Sequence, residues 1–163
     1  MWECPADVES RALPGHWEGD LIVGKKNSAI ATVVDRISGF AILCKLVDRK
    51  SDSVIESLTK QMRQMPSDLY KSLTWDRGME LASHEQFSAN TNKAVCFCDP
   101  GCPWQRGTNE NTNGLLRQYF PKRTSLDGYT QIQLNQLAEI INSRPRKILG
   151  YRTPVEVLAP LLR

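Results

Sequence analysis

The sequence predicts an α/β domain on a mixed five-stranded sheet, three antiparallel strands then two parallel ones, with helices on both faces. Three observations carry this. Between Trp17 and Leu46, three β-like runs follow one another across hairpin-length breaks. A helical spacing of apolar residues then separates them from "YKSLTWD" (70–76), so a crossover brings the fourth strand parallel to an earlier one. Beyond it, helical and extended patterns alternate, as they do where a sheet is covered on both faces.

Taken in order, "WEGDLIV" (17–23), "SAIATVVDR" (28–36) and "GFAILCKLV" (39–47) are the first three strands, divided by Gly24-Lys25-Lys26-Asn27 and Ile37-Ser38-Gly39. Val54, Ile55, Leu58, Met62 and Met65 recur at helical spacing, with Ser53 and Glu56 placed for a capping box and Pro66 as the stop. After the fourth strand come a short helix from Met79 to Phe87, a strand over Ala94–Cys98, and a helix from beyond Pro103 to about Tyr119. The final helix runs from Tyr129 to Ser143, with Leu134, Leu137, Ile140 and Ile141 as its apolar side. Residues 1–15, with Pro5, Pro14 and Gly15, read as a tail or linker, and 16–160 as one domain. This order of elements is by analogy the ribonuclease-H-like arrangement.

Composition narrows the class. A chain of 163 residues, 40% hydrophobic and 24% charged, can bury one real core. No apolar run approaches the roughly 20 residues that span a bilayer, and "MWECPADVES" has no signal-peptide core, so a cytoplasmic protein is expected. Five cysteines, an odd number, fit a reducing compartment better than a disulfide framework. The net charge of +3 is unevenly spread: residues 101–163 hold 9 Lys/Arg against 4 Asp/Glu, with clusters at 117–123 and 144–147. Such a basic third suits a polyanion, although it would equally suit a solvated face.

Three carboxylates stand in unusual places. Asp20 sits inside the first strand, between Gly19 and "LIV", where a charge is costly without a partner. Asp76 ends the fourth strand just before Arg77-Gly78, and Glu110 falls early in the helix after "PWQRGTN". If that helix packs near the two strands, three anions converge, a repulsion that divalent metal relieves. Each residue alone also suits a turn, a cap or a helix dipole.

Longer blocks add an identity to this pattern. "GHWEGDLIVGKKNSAIATVVDR" (15–36), "LTWDRGMEL" (73–81), "CDPGCPWQRGTNENTNGLLRQYFPK" (98–122) and "INSRPRKILGYRTPVEVL" (141–158) closely resemble the bacterial DDE transposases of the insertion-sequence-thirty family. The resemblance covers roughly residues 5 to 160. It implies that Asp20, Asp76 and Glu110 are the catalytic triad and ligands of Mg²⁺ or Mn²⁺, two ions in all. The 33 residues between Asp76 and Glu110 match the family's interval. Arg117, two helical turns beyond Glu110, resembles the basic residue used against DNA near the active site. Arg106, Asn111, Asn113, Lys122, Arg123, Arg146 and Lys147 are expected to join it, with Asn109 as a helix cap. Gly114 would admit a close backbone or DNA, Trp17 and Trp75 would hold the Asp-bearing strands, and His16 would be structural.

The activity implied is cleavage at insertion-sequence ends and strand transfer into target DNA, by a homo-oligomer at the bacterial nucleoid. Two alternatives stay open: a non-catalytic, DNA-associated or oligomerising remnant, and a nuclease on the same fold. Family members usually carry an N-terminal helix-turn-helix region, of which this chain has almost none. Gly101-Cys102 also departs from the family's pattern before "PWQRG", as does "PKRTSL" where "PKGTDL" is usual.

Overall fold

The computed structural model describes residues 15–66, 69–75, 84–91, 93–97 and 107–162. Five strands form one sheet: β1 (His16–Val23), β2 (Ala29–Asp35), β3 (Ala41–Lys45), β4 (Ser72–Trp75) and β5 (Ala94–Phe97). Their order is β3-β2-β1-β4-β5. The first three pair antiparallel, β4 lies parallel to β1, and β5 parallel to β4, as expected. The β1–β2 turn places Lys26 and Asn27 at positive φ, and Gly24 N–H donates to the Ser28 carbonyl at 2.8 Å. At the next turn Asp35 Oδ2 accepts from both the N–H and the hydroxyl of Ser38, fixing the chain as it reverses.

Helices α1 (Ser51–Met62) and α2 (His84–Thr91) contribute to one face of the sheet, and α3 (Gly107–Leu116) and α4 (Gln131–Asn142) cover the other. The first face buries Trp17, Ala31, Val33, Leu73, Trp75 and Val95 against Val54, Ile55, Leu58, Met62 and Phe87. Alternation along the strands sends Ile22, Ile30 and Leu43 to the opposite face, where they meet Leu116, Phe120, Leu134 and Ile141.

Several boundaries differ from the sequence reading. Helix α1 starts at Ser51, two residues before Ser53, and its N-cap Lys50 makes no side-chain cap bond. The expected Ser53–Glu56 box therefore does not mark the start, because the apolar stripe outweighs a cap of about 1 kcal/mol. A true box stands at α4: Thr130 Oγ1 accepts from Gln133 N–H, and Gln133 Oε1 accepts from Thr130 N–H. In α4 the inward residues are Leu134, Ala138 and Ile141, while Ile140 is 51% exposed and off the apolar side. Helix α3 ends at Leu116, short of the expected Tyr119, and the chain beyond it tightens into three-residue turns at Gln118 and Tyr119. The Met79–Phe87 helix is described only from His84, and it continues to Thr91. A further helix, α5 (Pro154–Leu158), was not anticipated; Thr153 caps it and Pro154 opens it.

The outer edge of β3 is covered by side-chain amides of α4. Asn142 accepts from Ala41 N–H (2.8 Å) and donates to Ala41 C=O (2.9 Å). Gln131 accepts from Lys45 N–H (2.8 Å) and donates to Leu43 C=O (2.7 Å). Cys44 is a free, buried thiol, its pKa pushed up to about 12 by burial. Cys96 in β5 is disulfide-bonded.

Candidate catalytic site

The site is built from β1 outward. His16, Glu18, Asp20 and Ile22 alternate onto the face that α3 and α4 cover, and all but the last are polar. Trp17 and Trp75, 0% and 1% exposed, anchor β1 and β4 from the other face, as expected of them. Gly19 makes this possible, since a Cβ there would lie 2.3 Å from the Trp75 ring. His16 is buried, its Nδ1 2.7 Å from Ser72 Oγ across the parallel pair.

Asp20 is half-buried at the centre of this row. Its Oδ1 accepts from Leu21 N–H at 2.8 Å, and its Oδ2 accepts from Asn113 Nδ2 at 3.3 Å. Asn113 belongs to α3, and its Oδ1 accepts from the Thr32 hydroxyl at 2.9 Å. Thr32 is the residue directly opposite Asp20 in the β1–β2 register. Helix α3 is thus pinned to both strands at the aspartate. Glu110 lies on the same helix, one turn before Asn113. Asp76 falls outside the described residues; β4, which leads to it, ends at Trp75 alongside β1. Among the described residues, no three His, Cys, Asp or Glu side chains group closely enough for a metal.

Two buried charges lie one pleat from Asp20. Glu18 Oε2 is 3.4 Å from Arg36 Nε, with the side chains 0% and 4% exposed. The sequence reading missed this pair, although the two-residue spacing of Glu18 and Asp20 put both on one face.

The expected DNA contacts divide. Arg106 lies outside the described residues, and Asn111, Lys122, Arg123 and Lys147 are exposed. Asn113 is half-buried and bonded to Asp20. Arg117 is half-buried and donates to the Phe120 carbonyl at 3.4 Å. Arg146 bonds Ile141 C=O at 3.1 Å, and burial first, then neighbouring Arg144, lowers its guanidinium pKa. The two basic clusters meet through Arg144, which bonds Tyr119 Oη at 2.8 Å and Gln118 Oε1 at 3.4 Å. Helix α3 begins at Gly107, so Asn109 is not its cap. Among the described residues, nothing lies within 4 Å of the place of a Cβ on Gly114.

Comparison with known proteins bears on this geometry. The sequence matches the family described as integrase core domain over residues 11–103. The chain belongs to that family. This integrase core is 55% identical over 152 residues to "Transposase InsI for insertion sequence element IS30A" of Escherichia coli, covering 93% of this chain and 40% of the relative. It is 47% identical to the transposase for insertion sequence element IS1086 of Cupriavidus metallidurans, covering 97% of this chain and 47% of that one. The integrase core therefore spans less than half the length of either relative. Its fold is that of the catalytic core domain of BIV integrase, with a TM-score of 0.65 at 18% identity over 90% of this chain and 94% of that one. A simian T-cell lymphotropic virus intasome chain gives a TM-score of 0.67 at 22% identity, over 87% of this chain and 53% of the other.

Proposed function

We propose that residues 16–160 form the catalytic unit of an insertion-sequence transposase, cutting DNA at the element's ends and joining the freed 3′-hydroxyl to target DNA. The observation that carries this reading is the Asn113–Asp20 bond, which docks the Glu110-bearing helix against the strand that holds Asp20. Homology to the transposases of insertion sequence elements adds independent support.

Asp20, Asp76 and Glu110 would hold the divalent ions, Mg²⁺ or Mn²⁺. The donor set fits hard cations, which prefer carboxylate oxygens. Bound there, a metal pair would polarise the attacking oxygen and stabilise the leaving one in an in-line phosphoryl transfer. The chain's own part is positioning. Asp20 is fixed by its strand neighbour and by α3, and the Trp17–Gly19–Trp75 packing keeps β1 and β4 in register. Exposed Lys122, Arg123 and Lys147 would hold DNA phosphates, with Arg117 close to the helix that carries Glu110. Such binding weakens as salt rises. The partners would be insertion-sequence ends and target DNA, with the active complex a homo-oligomer at the nucleoid.

The test uses purified protein, labelled duplex carrying an insertion-sequence end, and Mg²⁺ or Mn²⁺. Cleavage and strand transfer are expected, and Asp20→Asn should remove both while leaving duplex binding within a few-fold. Cleavage that survives Asp20→Asn would sink the proposal. Binding without cleavage by the unaltered chain would favour the non-catalytic reading.

A further inference from the structure

We infer that Asn113, oriented by Thr32, is a positioning residue that aims the Asp20 carboxylate and locks α3 to it, and is not a contact to DNA. The inference rests on the reading of Asp20 as a metal-holding carboxylate. Its basis is a three-membered network across three elements. Thr32 on β2 donates to Asn113 Oδ1 at 2.9 Å, and Asn113 on α3 donates to Asp20 Oδ2 on β1 at 3.3 Å.

The direction of these bonds follows from chemistry. An ionised carboxylate only accepts, so the amide must turn its nitrogen toward Asp20. That leaves the amide oxygen facing Thr32, whose hydroxyl can donate. The hydroxyl has one proton, and its acceptors in reach include Asn113 Oδ1 at 2.9 Å and the Asp20 carbonyl at 3.3 Å. The shorter contact goes to the amide, which fixes its orientation.

The result is a carboxylate gripped at both oxygens. Its own strand holds Oδ1 through Leu21 N–H, and the helix holds Oδ2. Rotation about the Asp20 side chain would break one bond or the other. Because Asn113 is one helical turn from Glu110, the same amide also fixes where that turn lies along β1. An asparagine committed in this way spends its amide on Asp20 and Thr32.

Outer partners of ligating groups typically change metal affinity or activity about 10–100-fold when removed. The experiment compares Asn113→Ala, Thr32→Val and Thr32→Ser with the unaltered chain, and carries Asp20→Asn as the control on the underlying reading. Three quantities are measured: the Mn²⁺ concentration giving half of the metal-induced melting shift, the strand-cleavage rate, and duplex affinity at fixed salt. Asn113→Ala should need about 10–100-fold more Mn²⁺ and cleave slower by a similar factor, with duplex affinity unchanged within about threefold and the salt slope of binding unaltered. Thr32→Val, nearly isosteric, should shift the metal titration in the same direction, and Thr32→Ser should restore it by returning the hydroxyl.

An unshifted metal titration in Asn113→Ala overturns the inference, whatever happens to duplex affinity. Equal titrations for the valine and serine variants of Thr32 overturn it too, and stand even if Asn113→Ala fails to fold. If Asp20→Asn keeps both its metal response and its cleavage, the reading of Asp20 itself has failed. If Asp20→Asn loses both but Asn113→Ala does not, only the positioning role is lost.

Discussion

The two faces of the sheet divide the work of this domain. On the α1/α2 face β1 shows Trp17, Gly19 and Leu21, and Trp17 and Leu21 join a continuous apolar cluster that extends to Val95. On the α3/α4 face the same strand shows His16, Glu18 and Asp20, and only Ile22 joins the core there. One strand thus serves stability on one side and polar chemistry on the other. The apolar face tolerates no added atom, and the polar face tolerates no missing partner. The contrast follows from packing density in the first case and from the cost of unpaired buried charge in the second.

The sharpest way to break the polar face is to remove a buried charge from it. Arg36→Met keeps length but leaves Glu18, fully buried, without the guanidinium 3.4 Å away. A loss of about 3–5 kcal/mol in urea unfolding is expected, while Glu18→Gln combined with Arg36→Met should recover much of it. A loss below about 1 kcal/mol would mean that Glu18 is held chiefly by other groups.

A smaller effect is expected on the apolar face. Gly19→Ala drives a methyl into the Trp75 ring and should cost about 1–3 kcal/mol. In a Trp75→Leu background the penalty should shrink, and a double-mutant cycle measures the difference. Additive effects would show that the clash is relieved by backbone movement and not by the ring.

The smallest change should stabilise. Gly114 lies in α3 with open space where a Cβ would project and no positive φ, so Gly114→Ala should add about 0.5–1 kcal/mol through helix propensity. If duplex affinity falls at the same time, the open space is where DNA approaches. Unchanged affinity leaves the glycine without that role.

Much of this was legible in the sequence. Hairpin-length breaks at 24–27 and 37–39, followed by a crossover, leave few topologies, and the observed strand order is among them. Asp20 stood out because a charge between glycine and three apolar residues has no cheap explanation. Helix α5 was missed because five residues are too few to show a period, although Thr153-Pro154 marks its start. Ile140 was misplaced because a contiguous Ile140-Ile141 pair cannot say which member faces inward. The Asn113–Asp20 bond was not legible, because an amide's partner depends on which helix packs on which strand. No local pattern carries that information.

The amides of Gln131 and Asn142 along β3 have a consequence for how copies of this domain meet. An outermost strand with open N–H and C=O groups is a template on which another chain can lay a strand, the route to runaway aggregation. Here Ala41, Leu43 and Lys45 already have backbone partners drawn from a helix of the same chain. The sheet cannot grow past β3 unless α4 first lifts away. Self-association at this flank is therefore confined to matching side-chain surfaces, which have a defined stoichiometry, and is closed to open-ended sheet extension.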